Sequence, residues 1–325
     1  MRRQPRTPKD TPAEDPSMIS HQAPRNENTP RISVWKTIGI LLLAVFVIMF
    51  ILNYLLPTMG IGGCIGVIRI NGEIMTGTGY GIVSSDETIS FINQAESRPD
   101  VKGILVMINS PGGSPVASKD IYEALKESEK PVVAYIDETG ASGAYYVALG
   151  ADTIIANPIS ITGSIGVRAT QYDLSPLLEK IGINATVIKS GSMKDIGDVY
   201  RPMTDEEKEL MQSIVSELQA DFNSTVISQR SNNSRFSIEG FRNVSDARVL
   251  TGRQAYELGL VDNIGTKRHA TAMFGESLGL GGNPSLCYFV SEQGMLESLL
   301  SSIGRGVGEA LSKSINTGAA RVEYK

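Results

Sequence analysis

A chain of 325 residues, 41% hydrophobic and 20% charged, can bury one large core or two modest ones. That apolar content excludes a disordered protein, and no collagen or solenoid period runs through the sequence. The net charge of −5, from 30 Lys and Arg against 35 Asp and Glu, argues against nucleic acid as a partner. Two cysteines, Cys64 and Cys287, are too few for a disulfide scaffold or a cysteine-rich zinc site. Two histidines, His21 and His269, leave a histidine-based mechanism with few candidates.

Residues 1–36 read as a disordered basic tail that holds six of the fifteen prolines. Seven basic residues against four acids give the tail +3, so the remainder carries −8. His21 falls in this tail, away from any chemistry. Residues 37–56, TIGILLLAVFVIMFILNYLL, follow without a charge. At about 1.5 Å rise per residue, such a run covers the roughly 30 Å hydrocarbon core of a bilayer. A buried core helix is the plainer alternative, but it would be shorter and keep a polar face. A cleaved signal peptide would have a shorter apolar run and a small-residue cleavage site. The expectation is one transmembrane helix in the cell membrane. Basic residues precede it, so the N-terminus is expected in the cytoplasm and everything after Pro57 outside.

From Cys64 onward, apolar runs of strand length alternate with helical patterns. Cys64–Ile70, Gly103–Ile108, Val132–Ile136, Thr153–Ala156 and Thr186–Ser190 read as buried strands. ETISFINQAE, PVASKDIYEALKESEK and ASGAYYVALGA between them have 3.6-residue periodicity. The alternation predicts an α/β domain with a mostly parallel sheet. A long helix is expected from Thr204, where Thr204 and Glu207 can form a capping box. Its stripe Leu210, Ile214, Leu218, Phe222, Val226 reads as a core face by default and alternatively as a subunit contact. Residues from about 293 onward are small and polar around a weak amphipathic run, Met295–Ile315.

No G-x-G-x-x-G, P-loop, H-E-x-x-H or Cys/His cluster occurs, so no metal and no cofactor is expected. Ser142, in Glu138–Tyr146, sits among small residues at a turn into a helix. Taken alone it reads most simply as an N-cap. Upstream, Asn109-Ser110-Pro111-Gly112-Gly113 ends a buried strand, where successive glycines can turn backbone N–H groups toward a ligand. If the fold brings Gly113 and Gly143 together, their N–H groups would make an oxyanion hole. A nucleophilic serine needs a base, and His269 lies late in a charged stretch. A lysine serves if its surroundings lower its pKa from about 10.4 toward neutrality, which costs about 4 kcal/mol for three units. Lys194, after the Thr186–Ser190 run, is the best placed.

Five ordered segments carry a resemblance: NSPGG at 109–113, GASGAYYVA at 140–148, TGSIGV at 162–167, SGSMKDIGDVYRPMT at 190–204 and LTGRQAYELGLVD at 250–262. Over roughly residues 64–280 the chain resembles the signal peptide peptidase A family, membrane-bound serine proteases with a Ser–Lys dyad. The resemblance implies a crotonase/Clp-protease-like β-superhelix with flanking helices, here preceded by the transmembrane helix. It implies Ser142 as nucleophile, Lys194 as general base, Ser164 as the hydroxyl that orients the lysine, and Gly113 and Gly143 as oxyanion donors. Ala144 stands where the family often has a second glycine, which would narrow the pocket. The implied organisation is a tail at 1–36, the span at 37–56, a peptidase domain at 57–280 and a C-terminal tail of unknown role at 281–325. The implied substrates are released signal peptides and other short hydrophobic peptides, and the implied assembly is a homo-oligomeric ring. Alternatives are a stomatin-operon-type membrane Ser–Lys protease, a crotonase-like acyl-CoA enzyme, and a membrane-anchored scaffold without activity.

Overall fold

The structure is a computed structural model that describes residues 34–58, 62–77, 79 and 81–290. The C-terminal run Met295–Ile315 and nearly all of the basic tail lie outside the described residues. The chain divides into two units, residues 1–52 and 53–325.

The first unit contributes most of helix α1, Val34–Thr58, 25 residues long. Its described side chains run from Trp35 to Ile51 and every one is exposed. Among the described residues no helix is long and apolar enough to cross a membrane.

The second unit opens with strands β1 (Cys64–Asn71), β2 (Glu73–Met75) and β3 (Ile82–Ser84). Helix α2 (Ser85–Ser97), β4 (Val101–Ser110), α3 (Pro115–Lys126), β5 (Val132–Ala141) and α4 (Gly143–Ala148) follow. Then come β6 (Thr153–Ala156), β7 (Ile161–Gly163), α5 (Ser175–Lys180) and the 26-residue α6 (Asp205–Arg230). The unit ends with α7 (Ile238–Arg242), β8 (Val249–Thr251), α8 (Gly252–Glu257), β9 (Asn263–Ile264), α9 (Lys267–Ser277) and β10 (Ser285–Phe289).

Six parallel strands form the main sheet in the order β10-β1-β4-β5-β6-β9, and β7 extends β5 while pairing antiparallel with β8. Its centre is apolar on both faces because successive side chains of a strand alternate. In β4, Ile104, Val106 and Ile108 join the larger core with residues of α2, α3, α4 and α6. Leu105 and Met107, between them, meet Ala270 and Phe274 of α9 on the opposite face. Four of the five expected strands are present. Helix α6 starts at the expected capping box: Thr204 Oγ1 accepts the Glu207 amide, and the Glu207 carboxylate accepts the Thr204 amide.

Three expectations are corrected. Thr186–Ser190 forms no strand, because no strand edge of the sheet receives it, and Ile188 is 97% exposed. In the α6 stripe Phe222 and Val226 are buried, but Leu210, Ile214 and Leu218 face solvent. The helix runs past the edge of its own core at its N-terminal end. Strand β10 pairs with β1 from Cys64↔Ser285 to Ile68↔Phe289, so the folded domain extends beyond residue 280.

The two cysteines are joined. Cys64 on β1 and Cys287 on β10 form a disulfide with Cα atoms 5.9 Å apart, across a sequence separation of 223. It ties an edge strand to the sheet and closes most of the domain into one loop. Bridges of this kind contribute about 2–4 kcal/mol, largely by restricting the unfolded chain.

Candidate active site

Strands β4 and β5 end side by side, Ser110 against Gly140, and the turns that follow them touch. After β4, the Ser110 hydroxyl accepts the Gly112 amide at 3.1 Å. Gly112 has φ +101°, and a Cβ there would stand 2.6 Å from the Gly143 nitrogen and 2.9 Å from the Ala141 carbonyl oxygen. Glycine permits both the left-handed turn and the close approach. At Gly113 a Cβ would lie 2.0 Å from the carbonyl oxygen of Ile74 on β2, with which it forms a parallel bridge. Neither the Gly113 nor the Gly143 N–H donates to an acceptor among the described residues.

Ser142 joins β5 to α4 at φ 54°, ψ −127°, and its side chain caps nothing. An N-cap serine is extended and accepts an amide two or three residues on. Ser142 does neither, so the plain N-cap reading is set aside. Its amide donates to the Gly163 carbonyl at 2.9 Å, which fixes the turn against the end of β7. Among the described residues, three non-glycine residues have positive φ: Ser142, Ser164 (49°) and Ala247 (65°). All three line one cleft. Such backbone costs about 1–3 kcal/mol per residue and persists where the surroundings force it, which is characteristic of functional sites.

The cleft is about 950 Å³ and holds Ser142, Ser164, Gly113 and Gly143 in its wall. Ser164 is anchored by its amide, which donates to the Arg248 carbonyl at 2.9 Å. Gln219 of α6 fixes the next residues, accepting the Val167 amide at 3.1 Å and donating to the Ile165 carbonyl at 3.2 Å. Val116, Tyr146, Val167, Leu218 and Phe222 supply apolar surface. At one end Asp221 accepts hydrogen bonds from Lys119 and Tyr146, each at 3.0 Å. Burial is the largest influence on the Tyr146 phenol and raises its pKa, which keeps it a donor.

Lys194 does not line this cleft. It is exposed on the loop before α6, yet the loop is firmly held at the next residue. Asp195, buried, accepts Lys189 Nζ at 2.6 Å and Arg201 Nε at 2.9 Å. Arg201 also donates to Glu207 at 2.8 Å. Its guanidinium holds the Glu207 carboxyl down at about 2 and, with Lys189, keeps Asp195 well below the usual carboxylate range. The network stays ionised at any working pH. His269 is exposed near the start of α9 and takes no part in the cleft. Two lining residues carry no signature in the sequence: Ala247, whose positive φ follows from its loop, and Ser118, the serine within α3.

A strained serine at the end of a parallel strand, beside two uncommitted amides in a partly apolar cleft, defines a serine hydrolase site on a Clp-protease-like α/β fold. The Clp protease family model matches residues 67–160, and that of peptidase family S49 matches residues 124–280. "Putative protease MJ0651" of Methanocaldococcus jannaschii is 39% identical over 230 residues, covering 69% of this chain and 72% of the relative. "Serine protease SPPA, chloroplastic" of Arabidopsis thaliana is 31% identical over 251 residues, 76% of this chain and 36% of that protein. "Putative signal peptide peptidase SppA" of Enterococcus faecium is 32% identical over 212 residues, 62% of this chain and 60% of the relative. The chain belongs to peptidase family S49, a family of serine proteases.

Proposed function

We propose that the protein is a membrane-anchored endopeptidase that degrades released signal peptides and other short hydrophobic peptides. The observation that carries this reading is Ser142, uncapped and strained beside two free N–H groups in a cleft of mixed polar and apolar lining. The similarity to a relative whose name includes signal peptide peptidase supports the substrate class. In the first step Ser142 Oγ bonds to the substrate carbonyl carbon while its proton passes to the Lys194 amine. The carbonyl π pair moves to oxygen, and that oxyanion accepts from the Gly113 and Gly143 amides. Collapse breaks the peptide C–N bond, the leaving nitrogen takes the proton from Lys194, and water then cleaves the acyl-enzyme. Ser164 orients the lysine amine.

Lys194 reaches Ser142 from a neighbouring copy in a homo-oligomeric ring. Its absence from the cleft of its own chain supports this, as do Leu210, Ile214 and Leu218 on α6 and Ile183, Val187 and Ile188 before the lysine, all exposed. A fluorophosphonate probe tests the reading. Mass spectrometry is expected to find the adduct on Ser142, and labelling confined to another residue would overturn the assignment.

The same reading places the charge-free run 37–56 across the cell membrane, with the N-terminus cytoplasmic and the peptidase unit outside. Support comes from the charge-free run 37–56 and the exposed apolar side chains of α1. The Cys64–Cys287 disulfide, a bond that persists in oxidising compartments, supports the outward orientation. Protease added to intact spheroplasts is expected to digest the domain after Pro57. Clipping of residues 1–36 alone would reverse the orientation.

A further inference from the structure

We propose that Ser118 is a third hydrogen-bond donor to the reaction's oxyanion, beside Gly113 and Gly143. The proposal rests on the reading of Ser142 as nucleophile and adds a residue that no motif marks.

Ser118 lies on α3, is 1% exposed, and its Oγ has no hydrogen-bond partner. A buried helical serine ordinarily returns its hydroxyl to the carbonyl four residues earlier. Here the Ser114 carbonyl accepts the Ser118 amide at 3.0 Å but not the hydroxyl. Leaving a buried hydroxyl unpaired destabilises the fold. Alanine would fill almost the same space without that cost, so packing gives no reason for serine.

The position of the hydroxyl supplies one. A Cβ built on Gly143 would stand 2.3 Å from Ser118 Oγ and 3.3 Å from the Gly113 nitrogen. The hydroxyl therefore occupies the side-chain space of Gly143, the residue after the nucleophile, and that same space borders the Gly113 amide. Ser118 also lines the cleft. Among the described residues, the other buried side-chain atoms without a partner belong to Ser85, Tyr135 and Gln171, and none of these residues lines it.

A serine side chain turns among three staggered wells about a single bond. With no resident partner, Ser118 breaks no hydrogen bond when it turns toward the cleft. A neutral carbonyl attracts the hydroxyl weakly, whereas the negative oxygen of the tetrahedral intermediate attracts it strongly. The contact is therefore realised in the transition state and should appear in kcat rather than in KM.

Ser118→Ala separates this role from a structural one because the two move melting temperature and rate differently. The expected result is a fall in kcat of about 10- to 100-fold with KM within about twofold. The melting temperature should hold or rise, since an unpaired buried hydroxyl is removed. A peptide aldehyde, whose adduct on Ser142 carries the same oxyanion, should lose affinity by the factor by which kcat/KM falls. An unchanged kcat, a rise in KM alone, or a fall in kcat that tracks a lower melting temperature would each overturn the proposal. Failure of the parent reading shows differently, as wild-type protein that neither cleaves peptides nor labels at Ser142.

Discussion

Mixed rings assembled from Ser142→Ala and Lys194→Ala protein are expected to recover about a quarter of the wild-type sites. Each preparation alone should be inactive. If the nucleophile comes from one copy and the base from the next, a site needs an intact Ser142 on one side and an intact Lys194 on the other. Random assembly satisfies both conditions in about one site in four. If both residues act within one chain, every site carries a defect and the mixture stays inactive. The measurement is peptidase activity of verified mixed assemblies against the mixing ratio, which should peak at equal amounts. The exposed position of Lys194 motivates the experiment: a rigid ion network holds its loop, yet the lysine stays out of its own cleft. A residue presented so firmly toward solvent suits delivery to a neighbour.

Lys194→Arg is expected to lower kcat by about 10³-fold or more, and His269→Ala to leave it within about twofold. Only an uncharged amine can take the Ser142 proton, and arginine stays protonated at any usable pH. The carboxyls of Asp195 and Glu207 beside the lysine are held well below neutrality, so their titration does not shape the rate at working pH. A large loss at His269 with full activity in Lys194→Arg would remove lysine from the role. The kcat of the three proteins on one peptide substrate decides the matter.

Strands β1, β4, β5 and β6 are legible as continuous apolar runs because a buried parallel strand needs apolar groups on both faces. The Thr186–Ser190 run has the same pattern and fails, since periodicity reports what a segment could bury but not whether a partner is present. The α6 stripe divides in the same way, buried at Phe222 and exposed at Leu210. NSPGG and GASGA mark turns where only small residues fit. Their mutual contact at Gly112 is a consequence of the pairing of β4 with β5, and it needs the register of the sheet.

The sequence by itself determined the charge-free apolar run, the strand–helix alternation, the capped start of α6 and the two glycine-bearing turns. Each of these depends on residues within a few positions of one another, where sterics and periodicity act directly. The tertiary structure alone decided that Ser142, Ser164, Gly113 and Gly143 share a cleft, and that Cys64 meets Cys287 across 223 positions. It also decided that Ser118 has an unpaired hydroxyl, that Ser142 is strained rather than capping, and that Lys194 stands apart. Those features arise from the order in which strands join the sheet, and a linear pattern carries no distance between residues far apart in the chain.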